Sequence, residues 1–163
     1  MKLVAVSGHR NNGVTIVTPL IGSALGAKVC YLDVFEVLKC ILPPIATMTT
    51  TLEDCDAFVD KVIETTPELL TNILQLNMKE LQTYYDYIIL TNVRSSKVME
   101  IVHHVGGTNV GIYRCKTFSV PYSIRDRMDT RILGSPDYAI ENDLTITSLR
   151  QKVNDFVKGW LND

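Results

Sequence analysis

Lys2-Leu3-Val4-Ala5-Val6-Ser7-Gly8-His9-Arg10-Asn11-Asn12-Gly13-Val14-Thr15 is the stretch that decides the fold. Lys2 to Val6 is an apolar run of the kind that forms a strand buried on both faces. A polar, glycine-bounded loop follows, and then a helical stretch from Val14 to Ala27. Pro19 lies inside that stretch, where it removes one backbone bond and is expected to kink the helix. Lys28 to Leu32 reads as a second strand, with Asp33 marking its end. Strand, loop, helix and strand in this order open an α/β fold.

Outward from there, Val34 to Leu42 forms a short helix stopped by Pro43-Pro44, and Ile45 to Thr51 reads as a loop. Thr51-x-x-Asp54 has the pattern of a capping box, and Leu52, Cys55, Phe58, Val59, Val62 and Ile63 share one helical face. Thr66-Pro67 opens another helix carrying Leu69, Leu70, Ile73, Leu74 and Leu81. Asp86 to Val93 returns to strand. Ser95 or Ser96 then caps a helix with Val98, Met99, Val102 and Val105 on its apolar face, closed by Gly106-Gly107. Thr108 to Tyr113 and Tyr138 to Ile140 are further strands, separated by a mixed segment from Cys115 to Pro136. Leu149, Val153, Phe156, Val157 and Trp160 mark a final amphipathic helix. The expected architecture is one three-layer α/β domain over 1–163, with a mainly parallel five-stranded sheet, a helical region over 34–84 and a lid-like loop over 116–136.

Composition sets the outer bounds. The chain has 163 residues, 46% of them hydrophobic and 21% charged, a balance that supports a folded core rather than disorder. Sixteen Lys+Arg against eighteen Asp+Glu leave a formal charge of -2, so no global field draws the chain to nucleic acid or anionic lipid. Any anion must be held by a local site. The apolar runs are too short or interrupted to span a bilayer, and no small-residue cleavage pattern follows the first strand. A cytoplasmic protein, neither secreted nor inserted in a membrane, is expected. Cys30, Cys40, Cys55 and Cys115 stand singly without a C-x-x-C pair, which suggests buried reduced thiols ahead of disulfides.

The loop from Gly8 to Thr15 has the spacing G-x-x-x-x-G-K-[ST], with Val14 at the lysine position. In such a loop, backbone amides cradle phosphate oxygens, the lysine reaches the terminal phosphates and the hydroxyl holds Mg²⁺. Gly8, Gly13 and Thr15 meet that pattern in its strand-to-helix context. The plainer alternative is a polar turn that carries two glycines. Val14 cannot stabilise a transferring phosphoryl group, and losing one preorganised electrostatic contact costs roughly 10²–10³ in rate. Arg10, near the loop apex, is the candidate substitute.

Further landmarks accumulate in order. Leu32-Asp33-Val34-Phe35-Glu36-Val37-Leu38-Lys39, Asp86-Tyr87-Ile88-Ile89-Leu90-Thr91-Asn92-Val93-Arg94, Gly106-Gly107 through Ile112-Tyr113-Arg114, and Asp137-Tyr138-Ala139-Ile140-Glu141-Asn142-Asp143 follow the opening strand and loop. Together they resemble the deoxynucleoside monophosphate kinases of bacteriophages, within the P-loop nucleoside monophosphate kinase group, from end to end of the chain. Departures concentrate on chemistry. Val14 replaces the family's lysine, and Asn92 replaces an acidic residue. No acidic residue stands among Ser95, Ser96, Lys97 and Val98, and Tyr122-Ser123-Ile124-Arg125-Asp126-Arg127 replaces the family's lid residues.

The resemblance implies that Gly8, Arg10, Asn11, Asn12, Gly13 and Thr15 hold ATP phosphates, with Thr15 on Mg²⁺. It also implies that Asp33, Lys39 and Arg94 place a nucleoside monophosphate. Arg125, Arg127 and Arg131 are lid arginines that clamp phosphates, or else a solvated cluster paired with Asp126 and Asp129. His103 and His104 are adjacent on a helix and cannot share a metal as an i, i+4 pair does. His9 is the histidine placed to touch a ligand. The implied function is a degenerate kinase-like protein that binds nucleotide, with phosphotransfer weakened or lost, in the host cytoplasm if viral. Two alternatives stand beside it. One is a kinase-derived fold reused as a structural or protein-binding component, through a partner or self-association. The other is an active dNMP kinase with a phosphate site rebuilt around Arg10.

Overall fold

A computed structural model describes residues 1–8, 12–26, 28–41, 52–93, 96–114, 136–142 and 145–162. The chain order is β1 (Lys2–Gly8), α1 (Val14–Leu25), β2 (Val29–Asp33), α2 (Val34–Ile41), α3 (Leu52–Thr65), α4 (Pro67–Leu81), β3 (Tyr87–Thr91), α5 (Ser96–His104), β4 (Thr108–Tyr113), β5 (Tyr138–Glu141) and α6 (Ile146–Asn162). The strands form one five-stranded sheet in the order β2-β3-β1-β4-β5, and every pairing is parallel. The α/β architecture read from the sequence therefore stands. Thr51 and Asp54 of the expected capping box, the loop over 45–51 and nearly all of the lid-like segment lie outside the described residues, or their side chains do.

β1 is central because it is apolar on both faces. Leu3 to Ser7 are all buried, and alternate side chains feed two separate cores, as the period of a strand requires. Leu3 and Ala5 join Ile88 and Leu90 of β3 beneath α2, α3, α4 and α5, where Leu38, Val62, Leu70, Leu74 and Val102 close the layer. Val4 and Val6 join Ile89, Val110 and Ile112 beneath α1 and α6, where Val17, Ile21, Val153 and Trp160 pack. The result is helix, sheet, helix.

Helix ends follow local chemistry. α1 continues through Pro19, so the helix starts where the apolar spacing places it and accommodates the missing bond. Pro19 and Thr15, whose carbonyl would have received that bond, are both exposed. The helix ends at Leu25, two residues before the expected Ala27, because Gly26 adopts φ 86° there. Thr66 precedes Pro67 at the start of α4 as expected, although its side chain makes no capping bond. α5 closes in a Schellman turn: Gly107 N–H donates to Val102 O at 2.8 Å and Gly106 N–H to His103 O at 2.9 Å. Gly106 takes φ 79° there, a conformation that favours glycine.

α6 is pinned at the opposite edge of the sheet from the loop after β1. Trp160 Nε1 donates to Thr108 Oγ1 at 2.9 Å, and its ring stacks on Phe156 at 6.0 Å. Lys2 Nζ donates to Trp160 O at 2.9 Å and lies 5.5 Å from the ring centroid. His103 and His104 are both exposed on α5. His103 Nε2 stands 2.9 Å from Asp137 Oδ2, which also accepts from Asn109 N–H at 2.7 Å.

Candidate functional site

All five strands point their C-terminal ends the same way, bringing Gly8, Asp33, Thr91, Tyr113 and Glu141 to one edge. β1 leads into α1 on one face of the sheet, while its neighbour β3 leads towards α5 on the other. Adjacent strands whose connections leave to opposite faces open a crevice between them, which is where open α/β sheets take ligands. The loop after β1 is at that crevice.

Gly8 is required by close passage. A Cβ there would meet Ile112 O at 2.6 Å and Val14 Cγ2 at 2.9 Å. Gly13 is required twice, since it takes φ 90° and a Cβ would fall on Asn142 Nδ2. It sits at the N-cap of α1, and its carbonyl accepts from Ile16 N–H and Val17 N–H, both at 2.9 Å. No acidic side chain stands in the first turn of α1 to offset the positive end of its dipole. Thr15 is exposed in that turn. Val14 is half-buried against the apolar core shared with α6, so the side chain at the lysine position faces packing.

Asn12 is buried, although the sequence suggests a ligand-facing loop residue. Its Nδ2 donates to Ile112 O at 3.0 Å, and its own carbonyl accepts from Asn142 Nδ2 at 2.7 Å. Asn142 N–H in turn donates to Tyr113 O at 2.8 Å, and Asn142 O accepts from Arg114 Nε at 2.8 Å. The end of the loop is thereby tied to β4 and β5. Asn142 was quoted in the sequence only as a landmark of a late strand, and 130 residues separate it from Asn12. No short-range signal reveals such a pair.

Asp33 stands at the end of β2, on the far side of β3 from β1. Its Oδ1 accepts from Phe35 N–H at 2.9 Å and Glu36 N–H at 3.2 Å, capping α2. Its Oδ2 accepts from Thr91 Oγ1 at 3.4 Å and from Asn92 Nδ2. Asn92 holds φ 56°, which asparagine tolerates better than most residues. Asp33-x-x-Glu36 carries the spacing of an N-terminal cap, a signal in the sequence that would have found this role. Lys39 lies within α2, and its side chain is outside the description. His9, Arg10, Asn11, Arg94, Arg125, Arg127 and Arg131 also lie outside the described residues.

Elsewhere at this edge, Glu141 Oε2 pairs with Lys152 Nζ at 3.0 Å. Among the described residues no group of three or more His, Cys, Asp or Glu is arranged to hold a metal ion. Cys30 is a free thiol and only half-buried, where full burial was expected, and its partial burial raises its pKa. No described helix is long and apolar enough to cross a membrane.

The parallel sheet in this strand order, with a glycine-bounded loop between β1 and α1, defines a P-loop kinase-like fold. Solved structures bear this out. The shikimate kinase of Aquifex aeolicus superposes with a TM-score of 0.55 at 16% identity, covering 98% of both chains. The APS kinase CysC of Mycobacterium tuberculosis gives 0.53 at 17% identity over 96% of both chains. The dephospho-CoA kinase of Campylobacter jejuni gives 0.51 at 14% identity, covering 97% of this chain and 96% of its own. No protein-family model matches the sequence, and neither does any curated protein. At these identities the likeness shows the fold. The narrower resemblance to phage deoxynucleoside monophosphate kinases rests on the sequence landmarks alone.

Proposed function

We propose that the chain is a degenerate relative of the deoxynucleoside monophosphate kinases that binds nucleotide at the loop after β1 and has weakened or lost phosphotransfer. The observation that carries this reading is the contrast within one loop. Gly8 and Gly13 sit where only glycine fits, and Thr15 is exposed at the start of α1, while Val14 is half-buried against the core. The two glycines and the hydroxyl of the phosphate-loop pattern are kept, and the lysine that assists transfer is replaced by an apolar side chain. Gly13 and the positive end of α1 would receive a phosphate group, the chemistry favoured at a helix N-terminus preceded by such a loop. Lys39, Arg94 and the arginines at 125, 127 and 131 are the cations this reading assigns to the nucleoside monophosphate and to the transferring group.

Mg²⁺ is the cation that the fold class implies. Magnesium is usually held by one or two carboxylates together with substrate phosphates. At the strand ends, the carboxylate of Asp33 is engaged by Phe35 N–H, Glu36 N–H and the Asn92 amide, and that of Glu141 by Lys152. Thr15 offers one hydroxyl. The described donor set does not fit a divalent cation, and no step is assigned to one.

Isothermal titration with ATP and with each dNMP, together with a coupled assay of ADP release, tests the proposal. Heat of binding with turnover near background supports it, and Val14→Lys should raise turnover. Absence of heat at saturating ligand would refute it in favour of the reused structural fold. Full turnover in the wild type that disappears in Arg10→Ala would refute it in favour of a rebuilt site.

A further inference from the structure

Asp33 and Asn92 belong to different strands, β2 and the end of β3, yet they meet side chain to side chain with Thr91 beside them. Asp33 Oδ1 accepts two backbone N–H groups of α2, and Oδ2 accepts the Asn92 amide, with the Thr91 hydroxyl 3.4 Å away and its one proton shared with a second acceptor. A carboxylate has about four acceptor positions. Here three are taken by the protein's own donors and the fourth faces the Thr91 hydroxyl. Thr91 Oγ1 also lies 3.2 Å from Leu32 O, so the same knot ties the ends of β2 and β3 together.

The identity of residue 92 is what allows the knot. An aspartate there would set a second negative charge against Asp33 with no proton between them, and like charges in contact disfavour ionisation of both. Such a pair is relieved by a cation. An asparagine supplies a donor and removes the need for one. The crevice edge thus carries a charge arrangement that is complete without a metal.

We infer that Asp33 and Asn92 form a metal-free tie, and that nucleotide held in the crevice is bound without help from a divalent cation. This rests on the nucleotide-binding reading above and deepens it by specifying the ligand form, the free nucleotide in place of its magnesium complex. Thr91 and Asn92 are positioning residues in this account: they hold Asp33 and, through it, the start of α2.

The test is titration calorimetry with ADP in EDTA and in excess Mg²⁺, using the wild type and Asn92→Asp. The wild type is expected to bind ADP with dissociation constants that differ by less than tenfold between the two conditions. Asn92→Asp is expected to bind at least about tenfold more tightly in Mg²⁺, the scale at which carboxylates around a metal act. Its thermal midpoint should fall in EDTA and recover when Mg²⁺ is added, a response that a merely structural role for residue 92 does not produce. Wild-type binding strengthened tenfold or more by Mg²⁺ would overturn the inference and leave nucleotide binding intact. No ADP binding in either condition would overturn both. If Asn92→Asp does not fold, the wild-type comparison decides alone.

Discussion

The contact between Gly13 and Asn142 predicts a measurable coupling between two residues 129 positions apart in sequence. Asn142→Ala removes a buried amide whose Nδ2 donates to Asn12 O at 2.7 Å, and losing that bond together with the packing of the side chain costs about 1–3 kcal/mol. Gly13→Ala places a Cβ at φ 90°, a left-handed conformation that costs an L-residue roughly 1–2 kcal/mol. That Cβ also falls on the Asn142 amide, so the amide must move and the same bond is lost. The single variant should therefore lose about 3–4 kcal/mol, combining backbone strain with the broken contact. Once Asn142→Ala has vacated the space, Gly13→Ala should add only the backbone share. The coupling between the two sites is then about 2 kcal/mol, well beyond the roughly 0.5 kcal/mol scatter of independent sites. Urea unfolding of the four proteins measures it, followed by fluorescence of the single tryptophan, Trp160. For a chain of this size Asn142→Ala alone should lower the melting temperature by about 4–8 °C. Additive losses would show that Asn142 does not occupy the space beside Gly13, and the tie between loop and β5 would have to be abandoned.

Trp160→Ala should destabilise by about 3–5 kcal/mol, the range for a buried aromatic, and Trp160→Phe by only about 1 kcal/mol for the lost bond to Thr108; thermal melts by circular dichroism compare the two. Lys97 hydrogen-bonds Glu64 at 2.9 Å and, with its charge, holds the Glu64 carboxyl below the usual range. A carboxyl lowered in the folded state contributes stability that is present above its unfolded pKa and lost as pH falls through its folded one. Glu64→Gln should therefore lower the denaturation midpoint slightly at neutral and alkaline pH and leave it unchanged at low pH, where the carboxyl is protonated in both states, so that the acid-side fall in stability becomes shallower. Cys30, whose thiol is pushed up by burial, should be alkylated slowly at neutral pH and faster as pH rises. Site-resolved mass spectrometry after iodoacetamide treatment checks this against a small-molecule thiol, and equal rates at neutral pH would contradict it.

Much of the fold was legible because its signals are local. The runs Leu3-Val4-Ala5-Val6 and Tyr87-Ile88-Ile89-Leu90 are apolar on both faces, so they read as central strands, and they lie side by side in the sheet. The glycine pair at 106 and 107 announced the end of α5, where a left-handed turn is needed. The site was less legible, since its decisive contacts join distant segments. Asn12 reads as a polar loop residue and is instead buried by Ile112 and Asn142. Asp33 reads as a strand end and, through the resemblance, as a substrate contact. Its cap on α2 is local and follows the Asp33-x-x-Glu36 spacing, whereas its bonds to Thr91 and Asn92 depend on how β2 pairs with β3, which spacing along the chain does not encode. Val14 shows that a residue's type can be plain while its direction is not.

The packing of Val14 bears on how freely the loop can be altered. A half-buried valine packed against the core beneath α1 contributes to the folded state whatever the crevice does. A lysine at that position would give up those apolar contacts and carry its long stem out to solvent or ligand. A Val14→Lys exchange therefore trades core packing for charge, and the neighbours of Val14 in that core set how much of the lost stability is recovered. The loop's chemistry and the stability of the helix that follows it are bound to one side chain.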